Sequence, residues 1–130
     1  MMIPRPISLL ATAAVVLAAA APSMARGGSD DRVVRASGDC SGASNWKLKA
    51  KHEDGRIETE FEVDQNRSGV QWRYRIRRNG RTVARGTRVT RPPSGSFEVE
   101  RRIANPAGAD RISAVAVRAD GEICRASLRI

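Results

Sequence analysis

Along most of this chain hydrophobic and polar residues change places at every step, which is the period of a half-buried β-strand. Trp46, Leu48 and Ala50 alternate with Lys47, Lys49 and Lys51, and Ile57, Thr59, Phe61 and Val63 alternate with Glu58, Glu60, Glu62 and Asp64. His52-Glu53-Asp54-Gly55 separates the two runs as a turn, so they predict a hairpin in which Lys49 faces Glu58, Lys47 faces Glu60 and Trp46 meets Phe61. Val70, Trp72, Tyr74 and Ile76, set among Gln71, Arg73, Arg75 and Arg77, make a third strand that runs into Asn79-Gly80. Asn-Gly suits a type I′ turn because both residues accept positive φ. The partner run, residues 81–91, sets Val83 opposite Ile76 and Val89 opposite Val70, which leaves Arg85 on the core face beside Tyr74; Gly86 offers a bulge as the alternative.

Arg91-Pro92-Pro93-Ser94-Gly95 interrupts the alternation, and Phe97, Val99 and Ile103 resume it in a fifth strand that ends at the Asn105-Pro106-Ala107-Gly108 turn. Residues 110–119 and 122–130 form the last hairpin around Asp120-Gly121, in a register that pairs Val117 with Cys124, Val115 with Ala126 and Ser113 with Leu128. No mature segment carries the helical period. Seven short strands spaced by turns predict an all-β fold, a seven-stranded antiparallel β-sandwich.

The strand count, the Trp72-x-Tyr74 pair in the third strand and the order of hairpins resemble the immunoglobulin-like or fibronectin type III topology. That resemblance covers residues 40–130 and implies strands 1, 2 and 5 in one sheet against strands 4, 3, 6 and 7 in the other. The chain departs from true immunoglobulin domains, whose disulfide joins the second and sixth strands; here Cys40 precedes the first strand and Cys124 opens the seventh. The whole chain is also similar to small exported proteins of actinobacteria, a likeness that brings no functional residues with it.

The N-terminus reads differently. Arg5 is followed by an uncharged run from Ile7 to Ala21, and Ser23-Met24-Ala25 closes it in the manner of a secretory signal cleaved after Ala25. The run is shorter than the roughly 20 residues of a spanning helix, so no transmembrane segment is expected and the product is read as secreted or extracellular. Residues 26–39 are polar and poor in core side chains and read as a disordered leader, with the β domain at residues 40–130. In an exported chain Cys40 and Cys124 favour one disulfide. Closing so long a loop contributes on the order of 4 to 5 kcal/mol in the chain-entropy model.

Candidate chemistry is sparse. His52 is the single histidine and falls in an expected exposed turn, both cysteines are committed, and there is no Gly-rich phosphate loop, no H-E-x-x-H and no Walker-type lysine. No enzyme activity, metal or cofactor is therefore expected. The carboxylate row Glu58, Glu60, Glu62 and Asp64 faces the lysines of the first strand and reads as an ion-paired surface.

The uneven feature is arginine. Lysine and arginine together number 23, and the net charge is +9. The expected outward positions of the second sheet are Arg73, Arg75, Arg77, Arg88, Arg118, Arg125 and Arg129, with Ala84, Gly86, Ala114, Ala116 and Ser127 as a floor between them. Such a face suits an extended anionic partner, an envelope polymer, lipid head group, extracellular nucleic acid or acidic protein, held by bidentate contacts to phosphate or carboxylate; the alternative is a solvated face that keeps a β protein soluble. Aromatic side chains for stacking bases are absent from it, so sequence-specific nucleic-acid recognition is not expected. An alternative is an exported inhibitor or interaction module that presents its end loops, residues 64–69 and 91–95, from the disulfide-stapled end. The exported product is expected to begin at Arg26 on N-terminal sequencing; an intact N-terminus on exported protein would remove the signal reading.

Overall fold

The computed structural model describes Pro4, residues 32–104 and residues 108–130. The signal run, residues 26–31 and the Asn105-Pro106-Ala107 part of one expected turn lie outside the described residues. Eight strands follow in order: β1 (Val33–Asp39), β2 (Asn45–Glu53), β3 (Arg56–Asp64), β4 (Gln71–Arg78), β5 (Arg81–Val89), β6 (Ser96–Ala104), β7 (Arg111–Arg118) and β8 (Ile123–Arg129). They form two antiparallel four-stranded sheets, β1-β2-β3-β6 and β5-β4-β7-β8, that enclose one core. Apart from the added β1, the division of strands between sheets is the expected one.

The eighth strand corrects the expected count of seven and, over Val33–Asp39, the expected disordered leader. Val33–Asp39 pairs along its whole length with β2, from Val33 opposite Lys51 to Asp39 opposite Asn45. Val34 and Ala36 rest against the core, while Arg35, Ser37 and Asp39 face outward. Gly38 lies against Trp46, whose ring leaves no room for a side chain: a Cβ there would stand 2.8 Å from the indole. Small inward residues disguise a strand as a polar leader.

Turn length sets every register. Asp54 and Gly55, at φ of 50° and 72°, make a two-residue turn between β2 and β3 where four residues were expected. Lys49 consequently faces Glu60, Lys47 faces Glu62, and Leu48 meets Phe61. The slip is of two residues, so every side chain keeps its expected side. Asn79-Gly80 forms the expected turn between β4 and β5, with both φ positive, but Val83 is then an extra residue in a bulge opposite the step from Ile76 to Arg77. Beyond it Ile76 faces Ala84, Arg75 faces Arg85 and Tyr74 faces Gly86. Between β7 and β8, Arg118 lies opposite Glu122 across a turn of three residues, not two. The Arg118 N–H donates to the Glu122 carbonyl and the Gly121 N–H to the Arg118 carbonyl, both at 2.9 Å, with Gly121 at φ 99°. Ala116 therefore pairs with Cys124, Ala114 with Ala126 and Ile112 with Leu128.

Those odd shifts of one residue reverse β7 and the distal half of β5. Val115 and Val117, expected inside, face outward, and Ala114 and Ala116 enter the core. Around them Trp72 is fully buried, with its ring centroid 6.2 Å from that of Phe97, and Phe97 in turn stands edge-on to Phe61 at 6.4 Å. The disulfide between Cys40 and Cys124 closes one end and joins the two sheets. A cysteine at Val115 is expected to react readily with a thiol reagent and one at Ala116 on the order of 100-fold more slowly under native conditions. Equal rates would show that this phase of β7 is wrong.

Candidate anion-binding face

The inward side of β4 is taken by Trp72, Tyr74 and Ile76, which sends Arg73, Arg75 and Arg77 to the outer surface. The bulge at Val83 adds Arg85, Thr87 and Val89 from β5 to the same surface. From β7 come Arg111, Ser113, Val115 and Val117, and from β8 Ile123, Arg125, Ser127 and Arg129.

The ladders place these side chains in rows across the sheet. One row reads Arg85, Arg75, Val115, Arg125, and the next reads Thr87, Arg73, Val117, Ile123. Arg75 lies directly opposite Arg85, and Arg111 directly opposite Arg129. Like charges at such positions oppose pairing. Among the described residues no carboxylate forms an ion pair with any of these outward arginines; the arginine ion pairs belong to Arg78 and Arg118. Two shallow depressions share Arg75 and Val115. The larger, about 490 Å³, lies among Arg73, Arg75, Arg85, Thr87, Val115 and Val117, and the smaller, about 200 Å³, extends toward Arg77, Ser113 and Arg125.

Two expected members of the face are elsewhere. Arg88 turns with the inward side of β5 and sets its guanidinium 5.3 Å from the centroid of the Tyr74 ring. Arg118 lies over Trp72 at 5.8 Å and is bound to Asp120 through two contacts, one of them Nε to Oδ1 at 2.7 Å. The hydrogen bond between them raises the Arg118 pKa and lowers that of Asp120. Both arginines cover aromatic rings at the margins of the core. Arg73, Arg75, Arg77, Arg125 and Arg129 do share the outer surface, and Arg85 and Arg111 join them. Gly86 was the available signal for Arg85, because a glycine in a strand marks a bulge or a close approach: a Cβ there would lie 2.9 Å from the Tyr74 hydroxyl. The expected floor of alanine and glycine is corrected too, since Ala84, Gly86, Ala114 and Ala116 point inward and the outward floor is half-buried valine with serine.

The opposite sheet carries the acids. Lys47, Lys49 and Lys51 do oppose Glu62, Glu60 and Glu58, with Lys49 Nζ 3.6 Å from Glu60, but on the other flank β6 brings Glu98 beside Glu62 and Glu100 beside Glu60. Carboxylate oxygens of Glu60, Glu98 and Glu100 lie within 4.8 Å of one another. Desolvation, a hydrogen bond with Glu100 and the neighbouring negative charges raise the Glu98 pKa.

At the disulfide end the two loops that follow β3 and β5 are bonded into one block. The Gln65 N–H donates to the Gly95 carbonyl at 3.0 Å, and the Thr90 hydroxyl donates to the Arg67 carbonyl at 2.6 Å. Nearby, Glu122 accepts from the Ser44 hydroxyl and N–H at 2.9 and 3.0 Å. His52 lies in β2 opposite Ile57, half-buried, and not in a turn.

Compared with family models, curated proteins and solved structures, the chain matches none.

A group whose folded pKa is raised favours folding below its unfolded pKa and loses that contribution as pH rises through the folded value. Glu98→Gln is therefore expected to raise the unfolding midpoint modestly at neutral pH and to change it little once the glutamates of both states are protonated. An equal gain at acid and neutral pH would refute electrostatic repulsion as the cause.

Proposed function

We propose that the protein is an exported, non-catalytic module of immunoglobulin-like topology that binds an anionic partner, at the cell envelope or outside the cell, through the arginine-rich outer face of β5-β4-β7-β8. The observation that carries this reading is the direct opposition of Arg75 to Arg85 and of Arg111 to Arg129 with no carboxylate paired to them among the described residues. A folded protein that opposes like charges twice on one surface gains from an anion that sits between them. Guanidinium groups suit phosphate or carboxylate because they offer paired donors in a plane.

Export is supported by the disulfide, a bond that persists in oxidising compartments. No described helix is long and apolar enough to cross a membrane. Trp46, Phe61, Trp72, Tyr74 and Phe97 are all buried, so the face has no ring on which to stack a base, which speaks against sequence-reading nucleic-acid recognition. The bonded block of residues 65–70 and 90–95 favours a second reading, in which those rigid end loops enter the cleft of a partner protein.

Retention on immobilised polyphosphate separates these readings. Arg75→Glu with Arg85→Glu is expected to weaken binding by roughly 10- to 100-fold, at about 1 kcal/mol or more for each charge reversed. Lys47→Glu with Lys49→Glu, an equal change of net charge on the opposite sheet, is expected to weaken it far less. Equal loss in both variants, or none in either, would remove the face from the reading. Loop replacement that abolishes binding to a protein partner while face reversal spares it would favour the loops.

A further inference from the structure

The outward arginines do not stand on a polar floor. The two exposed large hydrophobic residues among those described, Val83 and Val89 at 39% and 45% exposure, both lie on β5. Val115 and Val117 are half-buried on β7 within the rows that contain Arg75 and Arg73. Cation and aliphatic side chain thus neighbour each other on one surface, and none of the outward positions of β4, β5, β7 or β8 is acidic.

Resting on the binding face described above, we infer that its partner is the surface of an anionic phospholipid bilayer. A dissolved polyanion would be held by the guanidinium groups alone and would gain nothing from exposed valines. A bilayer presents both halves of the match, with phosphates at the level the guanidinium groups reach and apolar glycerol–acyl boundary just beneath them. Arginine stems lie along apolar surface while their heads stay at the phosphates. The shape agrees as well. Four strands about 4.8 Å apart and eight residues rising about 3.4 Å each make a surface of about 15 by 25 Å, wide enough to lie across several head groups. The depressions in it are open and shallow, too exposed to enclose a small ligand yet suited to an interface that moulds to the protein.

The opposite sheet sets the orientation. Its Glu60, Glu98 and Glu100 cluster is repelled from an anionic surface, so the molecule would dock with that sheet toward water.

The test is sedimentation of the full chain with vesicles of phosphatidylglycerol and phosphatidylcholine in equal parts, and with phosphatidylcholine alone. The quantity read is the excess on the anionic vesicles relative to that of the wild type, because the apolar N-terminal run and the positive charge before it are shared by every variant and cancel between them. The wild type is expected to show a large excess that falls steeply with salt. Arg73→Glu, Arg75→Glu and Arg77→Glu together should lower it on the order of 100-fold, and the matching Arg→Gln set should lower it less. Lys47→Glu, Lys49→Glu and Lys51→Glu, with the same change of net charge, should leave most of it. Val115→Thr with Val117→Thr should weaken vesicle binding roughly fivefold while leaving retention on polyphosphate as it was. Near-ultraviolet circular dichroism establishes that each variant is folded. Retention on polyphosphate with no excess on anionic vesicles would overturn the bilayer and leave a soluble polyanion as the partner. Vesicle binding indifferent to the valine changes would also overturn it, and loss of both interactions in the wild type would remove the underlying binding face.

Discussion

Tyr74 and Ile76 fill the space between the sheets, and the residues directly opposite them are small. Tyr74 has Ala116 opposite it on β7 and Gly86 opposite it on β5, and Ile76 has Ala114 and Ala84 in the same relation. A strand admits only two phases, so each of these small residues decides the direction of the side chains around it. The other phase of β5 would push Arg85 against the buried Tyr74 ring, where a guanidinium without a carboxylate is costly to desolvate. The other phase of β7 would replace Ala114 and Ala116 by Val115 and Val117 in a core already occupied by an indole and a phenol, which is overpacking. The composition of the outer face is therefore a consequence of what the interior accepts.

The same packing divides the arginines into two populations. Arg88 and Arg118 lie over Tyr74 and Trp72, Arg101 donates to the Tyr74 hydroxyl at 3.0 Å, and Arg78 binds the buried Asp110 at 2.7 Å. These cations complete the rim of the core. A planar guanidinium is suited to that task because it stacks on a ring while its edges remain hydrogen-bonded. The remaining arginines on the second sheet have no such employment. The clustered glutamates Glu60, Glu62, Glu98 and Glu100 do not reach them, since they lie on the outward side of the other sheet with the core between.

Much of this was legible in the alternation. The bulky inward residues of β2, β3, β4 and β6 stand where their period puts them, and the division of strands between the sheets is the one the topological resemblance implied. The errors share one cause. A turn signal such as Asp54-Gly55 or Asp120-Gly121 marks a reversal without stating how many residues it consumes, and a bulge such as Val83 leaves no local mark but a glycine further on. At β2–β3 the error was even and harmless; at β4–β5 and β7–β8 it was odd, and it exchanged inside for outside. In β7, residues 114–117 alternate between alanine and valine, so hydrophobicity alone favours the larger residues for the core. Only the neighbouring aromatic side chains show that there is no room for them. β1 escaped notice for the related reason that its inward residues include Ala36 and Gly38, which carry almost no hydrophobic signal.

The odd shifts also alter the chemistry of the face. An alanine and glycine floor under seven arginines would be a flat polycation, indifferent to everything in an anion except its charge. With Arg88 and Arg118 withdrawn to the aromatic rings and Val115 and Val117 turned outward, positive charge is interleaved with aliphatic surface. Exposed β-branched residues beside unpaired cations gain little in water, where the valines remain hydrated and the guanidinium groups repel one another. Both penalties are relieved together at an interface that is anionic at its edge and apolar beneath. The residues that pack the interior and those that compose the outer face are thus set by one phase of alternation, and a single-residue change in turn length would exchange them.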